Sequence, residues 1–238
     1  MRYVLFVLLL LAFSTFAAAQ VKPRPTPVKV PSGVPIKPGT TAKPIGAKAV
    51  VDKGMVSGRT YTNEQFNFEV TFPDSWLIPG DDFEDYMKKQ GFDLGLKAPD
   101  SLPPASKARV NQAIKKVNIL LTAYRSMPGE ADNAIVRISV EDLAANPQIK
   151  DAVDYFDAIR ATFAAMKVPG DFKYSETQAE KLGDKQFGYL DTATTAGKKR
   201  MYATVRNGYA IMFTISYTKD DDLQTLRHVL EDGNFALK

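Results

Sequence analysis

From Phe66 to Phe72 apolar and polar residues alternate, with Phe66, Phe68, Val70 and Phe72 on one side and Asn67, Glu69 and Thr71 on the other. A period of two predicts a strand that lays one face on a core. Pro73 has no N–H to give, so the ladder stops there, and the chain's single tryptophan, Trp76, follows. The acidic run Asp81, Asp82, Glu84 and Asp85 suits the positive end of a short helix. A second helix is predicted from Pro104 to about Lys116, with Pro104 near its first position.

Strands are predicted near 117–125 and 134–143, joined by a Pro128-Gly129 turn. A longer helix is expected from near Gln148, where Val153, Phe156, Ile159, Phe163 and Met166 form an apolar stripe ended by Pro169-Gly170. The last third reads as three strands, 186–195, 198–206 and 209–218, and a helix from Asp220 to about Glu231.

Asn207-Gly208 between two apolar runs is a two-residue hairpin signal that fixes a register. Arg206 then faces Tyr209, Thr204 faces Ile211, Tyr202 faces Phe213 and Arg200 faces Ile215. Both faces of this pair are apolar in the middle, whereas a sheet with one wet face alternates cleanly, so helices are expected on both sides. The same reasoning at Ala196-Gly197 pairs Asp191 with Tyr202 and Tyr189 with Thr204. Asp191, Arg200, Tyr202 and Arg206 would then cluster beside aromatic rings. A structural ion pair at the edge of a packed face accounts for such a cluster; the sharper alternative makes these four a partner-binding site for an acidic or aromatic group.

The N-terminal segment changes the picture. Arg2, an apolar run from Val4 to Phe16 and Ala17-Ala18-Ala19 make the pattern of a secretory signal peptide over residues 1–19. That run is shorter than the roughly 20 residues of a membrane span, so no integral span is expected once it is cleaved. Residues 20–59 are rich in proline and carry eight basic residues against one acid, a net of +7. Such a stretch reads as a disordered, extended linker that works as a spacer or lies on an anionic envelope surface. Residues 60–238 carry about −4 and read as one globular domain. With no cysteine in the chain, disulfides, thiol nucleophiles and thiolate metal sites are excluded. The expected location is periplasmic or secreted.

Three segments carry a resemblance to a known family. They are the strand ending in P-x-x-W (Pro73, Asp74, Ser75, Trp76), the middle amphipathic helix, and R-N-G-Y-A-I-M-F-T-I-S-Y with a helix marked by Leu223, Leu226, Leu230 and Phe235. Over about 61–235 the chain resembles the PsbP/DcrB-like superfamily, which also includes the Ran-binding protein Mog. Asp232-Gly233-Asn234 departs from that pattern, and residues 92–106 look like an insertion. The resemblance implies an α+β fold, an α/β/α sandwich around a central, mainly antiparallel sheet with helices on both faces. It also implies an accessory, partner-binding role without a shared active site. In such folds the P-x-x-W tryptophan looks like a plug that seals the strand end, its indole N–H satisfied locally.

The remaining chemistry is sparse. One histidine, His228, cannot supply a zinc ligand set, and no G-x-S-x-G elbow exists to seat a triad serine. The acidic run lacks calcium-loop spacing, and no glycine loop or basic domain points to nucleotide or nucleic acid. No catalytic residue, metal site or cofactor is therefore assigned. The expected function is a non-catalytic accessory protein binding an envelope protein. The alternative is a hydrolase of an envelope polymer that uses paired carboxylates from Asp191 and the 81–85 run, which would have to converge to about 5–10 Å.

Overall fold

The computed structural model describes residues 50–80, 82–98, 102–128, 130, 133–166 and 168–236. The signal-peptide segment, residues 20–49 of the linker, Asp81 and Gly129 of the expected turn lie outside these. The fold is α+β. A small antiparallel sheet is formed by β1 (Met55–Ser57), which lies within residues 20–59, β2 (Thr60–Asn63) and β3 (Phe68–Thr71).

The large sheet has seven strands: β4 (Val117–Tyr124), β5 (Ile135–Asp142), β6 (Lys173–Tyr174), β7 (Gln178–Leu182), β8 (Lys185–Thr194), β9 (Gly197–Arg206) and β10 (Tyr209–Tyr217). Its order is β4-β5-β10-β9-β8-β6, with β7 also paired to β8, and its paired strands are antiparallel. The helices are α1 (Phe83–Lys89), α2 (Pro104–Ile114), α3 (Ala152–Ala165) and α4 (Asp220–Glu231).

Alternate positions on the central strands join different apolar clusters. Ile211, Phe213 and Ile215 of β10 pack with Leu223, Leu226 and Leu230 of α4 and with Phe68 and Val70 of β3. Ala210 and Met212 pack instead with Phe156, Ile159 and Phe163 of α3 and with Val110 of α2. This is what apolar residues at both parities of one strand require. α3 starts at Ala152 because the Asp151 carboxylate accepts from the backbone N–H groups of Val153 and Asp154, at 2.8 and 2.9 Å. Its buried stripe is Ala152, Tyr155, Phe156, Ile159 and Phe163. Val153, expected in the stripe, is 41 % exposed, because it lies a quarter-turn off that line.

The Asn207-Gly208 hairpin has the expected register, with φ of 53° and 78° at its two central residues. Two other expectations are corrected. The β8–β9 register is shifted by two residues: Asp191 faces Arg200 and Tyr189 faces Tyr202, because the turn is Thr195-Ala196 and Gly197 already belongs to β9. A shift of two keeps every side chain on its face. The opening strand is also shorter than its alternation, since Asn67 turns with φ 54° and β3 begins at Phe68, yet Phe66 stays buried.

Candidate functional site

The two-residue correction places the Asp191 carboxylate directly across from Arg200, and the pair closes as a fork. Arg200 donates through Nε to Oδ1 at 2.7 Å and through Nη2 to Oδ2 at 2.6 Å. Its Nη1 donates to the Tyr202 hydroxyl at 3.2 Å, and the guanidinium lies 4.3 Å from the centre of the Tyr189 ring. Tyr202 in turn donates to Glu180 on β7, and Glu180 pairs with Arg227 of α4 at 2.9 Å. A line of two carboxylates and two guanidiniums thus runs through one phenol from β8 to α4, balanced in charge.

Burial alone would pull the Arg200 guanidinium down, but its bonds to Asp191 and Tyr202 outweigh that and raise it. Burial raises the Tyr202 phenol, and its bond to Glu180 raises it further. Sequence reasoning found Asp191, Arg200 and Tyr202. It missed Glu180 and Arg227, because Gln178–Leu182 is largely polar and gives little apolar alternation to read as a strand.

Arg206, the fourth expected member, is not in this cluster. Six residues along β9, roughly 20 Å away, it donates to the carbonyls of Phe66 and Asn67 at 3.2 and 2.9 Å and of Phe235 at 2.6 Å. It ties the β2–β3 turn to the end of the chain. Trp76 is buried with its ring beside Phe72, as a plug should be, and its carbonyl accepts from Arg59. The expected local partner for its indole is corrected: among the described residues no group accepts from Nε1.

Beside Asp191 the sheet end opens into a pocket of about 250 Å³, lined by Lys173, Tyr174, Ser175, Asp191, Lys198 and Tyr217 with neighbouring residues of β8 and β9. The short strand β6 builds its outer wall, fixed where the Ser175 N–H donates to the Asp191 carbonyl at 2.9 Å and the Asp191 N–H to Ser175 Oγ at 3.1 Å. Lys198 pairs with Asp220 at 3.0 Å and lies 6.0 Å from the Tyr217 ring centre, while Lys173 has no ion pair among the described residues. Burial, then the Asp191 charge, raises the Tyr217 phenol, so it is a hydroxyl donor at neutral pH. Two ammonium groups, two phenols and a serine suit an acidic or aromatic group.

The paired-carboxylate alternative fails on geometry. α1, which carries Asp82 at its cap, Glu84 and Asp85, packs through Phe83 on Tyr124 of β4, ring centres 5.5 Å apart. Asp191 stands four strands away on β8, roughly 19 Å at about 4.8 Å per strand. Among the described residues no three His, Asp or Glu side chains gather as a metal site would need, and His228 is exposed on α4.

No family model and no curated protein matches the chain. Solved structures do resemble it. The cyanobacterial PsbP protein CyanoP from Synechocystis is 14% identical, with a TM-score of 0.40 over 81% of this chain and 99% of its own. A protein from Bacteroides thetaiotaomicron is 11% identical, with a TM-score of 0.37 over 77% of this chain and 50% of its own. LpqN of Mycobacterium tuberculosis, described as involved in cell envelope biogenesis, is 11% identical, with a TM-score of 0.37 over 70% and 82%. The PsbP-like likeness drawn from the sequence thus recurs among solved structures. At such scores it concerns the course of the chain, and what the chain does has to be argued from its own residues.

Proposed function

We propose that this chain is a non-catalytic accessory protein that acts in the periplasm or outside the cell. On this reading residues 1–19 direct its export, and the folded part holds an acidic group of an envelope protein in the pocket at the sheet end. The layout taken is the α/β/α sandwich, α2 and α3 over one face of the large sheet and α4 over the other. The observation that supports the reading is the lining of the pocket: Lys173, without an ion pair among the described residues, beside Tyr174, Lys198 and Tyr217. A carboxylate entering there meets two cations and a phenol donor, while the tyrosine rings cover its apolar stem. Asp191, Arg200 and Tyr202 hold the inner wall rather than reach for the partner, since their polar groups are already engaged. Residues 20–59, at +7, act as a spacer whose attraction to anionic surfaces is non-specific.

The test uses the full chain as bait against the envelope fraction of its source cells, as wild type and as Lys173→Glu/Lys198→Glu. Washing at about 1 M salt shortens the screening length to about 3 Å and strips contacts made by the tail alone. A protein kept by wild type through that wash and lost by the charge-reversed bait supports the pocket. Equal retention by both baits, or release of everything from both, removes it.

A further inference from the structure

The face of the sheet under α2 and α3 carries an unusual row of polar residues. Arg137 stands on β5, the second strand of seven, and is 6 % exposed. A guanidinium has five N–H donors. Here Nη2 donates to the Leu94 carbonyl at 3.2 Å, and among the described residues no group accepts from Nε or Nη1. Among the described residues no carboxylate pairs with it; Glu84, the acid whose charge it feels, is exposed on α1. Directly across from Arg137 on β10 is Thr214, and two residues along β5 on the same face is Ser139. The hydroxyls of both are buried and also lack a partner among the described residues.

A buried cation with three unused N–H groups, flanked by two unused hydroxyls, is strongly disfavoured unless something completes it. Beside it lies a second cation. Lys199, buried on β9 on the same face, is held well below its ordinary pKa by burial and then by the charge of Arg137. Tyr124 on β4 is raised by burial and pulled back by the same guanidinium. Among the described residues the carboxylates to be weighed are Glu84, exposed on α1, and Glu141, buried on the same face of β5 two residues beyond Ser139 and already accepting from the Tyr155 hydroxyl at 2.9 Å.

We propose that Arg137, Thr214 and Ser139 form an internal site for one small tetrahedral oxyanion of the phosphate class. Three N–H groups and two hydroxyls match an ion that presents four acceptor oxygens, and guanidinium pairs with phosphate through parallel N–H bonds. Inorganic phosphate is favoured over a phosphate ester, since a side chain 6 % exposed leaves no route for an organic substituent. Lys199 also lines the pocket beside Asp191, but Arg137, Thr214 and Ser139 do not, and their ligand stabilises the fold rather than recruiting a partner.

The experiment is thermal unfolding of the full chain in sodium phosphate, with sodium glycerol phosphate and sodium chloride at matched ionic strength. Phosphate at about a hundred times its dissociation constant should raise Tm by about 5–10 °C over chloride. Arg137→Met, similar in length and uncharged, should lose that shift. If that variant does not fold, Thr214→Val should raise the phosphate concentration for half the shift about tenfold. The proposal is overturned if phosphate acts no differently from chloride, or if both variants respond as wild type does, which would put the ion elsewhere. An equal response to glycerol phosphate overturns the enclosed site.

Discussion

Arg200 shows what a single position can bring together. Its guanidinium is forked onto Asp191, bonded to Tyr202 and laid on Tyr189, with a side-chain exposure of 15 %. Exposed ion pairs contribute little, but removing one partner of a largely buried pair leaves an uncompensated charge. Asp191→Asn keeps the shape of the acid and takes away its charge, and it turns an amide N–H₂ toward a group that only donates. We expect a loss of about 1–3 kcal/mol in urea unfolding. Tyr202→Phe, which cuts the link to Glu180 but leaves the Glu180–Arg227 pair, should cost about 1 kcal/mol. Wild-type stability in Asp191→Asn would mean that the fork is ornamental and the inner wall of the pocket is not held by it.

At the scale of elements, β8 and α3 meet in a close joint. A methyl group on Gly188 would sit 2.8 Å from Cβ and 3.1 Å from the backbone carbonyl carbon of Ala152, at the first position of the helix. Neither atom is the end of a flexible chain, so the helix itself would have to move. Gly188→Ala should therefore destabilise by about 1–3 kcal/mol, as overpacking does, read as a lower urea midpoint; an unchanged midpoint would show that α3 slides freely on the sheet. The uneven legibility of the elements has physical causes. Asn207-Gly208 fixes its hairpin because both residues tolerate positive φ and the turn is local. The Thr195-Ala196 turn is held from outside: Asp171 accepts from the Thr195 N–H and hydroxyl, at 3.2 and 2.9 Å, from 24 residues earlier. No window around the turn could contain that bond, so the nearby glycine drew the register two residues away. β6 and β7 escaped for another reason: their residues are mostly exposed and polar, and they are strands because β8 offers an edge to pair with. The candidate site inherited both gaps. Asp191, Arg200 and Tyr202 were legible on β8 and β9, whereas Lys173, Tyr174, Glu180 and Arg227 depend on those strands and on α4.

Taken whole, the molecule holds phenols in both sheets, and this sets how it should respond to alkali. Tyr61 on β2 is pushed up to about 12, chiefly by burial. Burial also raises Tyr124 on β4, Tyr202 on β9 and Tyr217 on β10. In the unfolded chain all four ionise near 10. Above that pH the unfolded state binds fewer protons than the native state, so stability must fall as pH rises. Their contribution is complete below about pH 10 and is lost on the way up to the native pKa values, by about 2–3 kcal/mol for the two-unit shift of Tyr61 alone. Lys199 works in the opposite sense: its native pKa is depressed, so raising the pH toward the unfolded value near 10 relieves the fold of a buried charge. Stability should therefore hold or climb up to about pH 10 and then drop steeply. Urea midpoints across about pH 8 to 12 would trace that curve, and tyrosinate absorbance should rise together with unfolding rather than before it. Tyr61→Phe removes one of the four protons while keeping the ring beside Phe68, 5.7 Å between centres, so its alkaline limb should be shallower than that of wild type. Tyrosinate forming in the native protein near pH 10, or a limb of unchanged slope in Tyr61→Phe, would mean that water reaches these hydroxyls and that the two sheets are not closed over them.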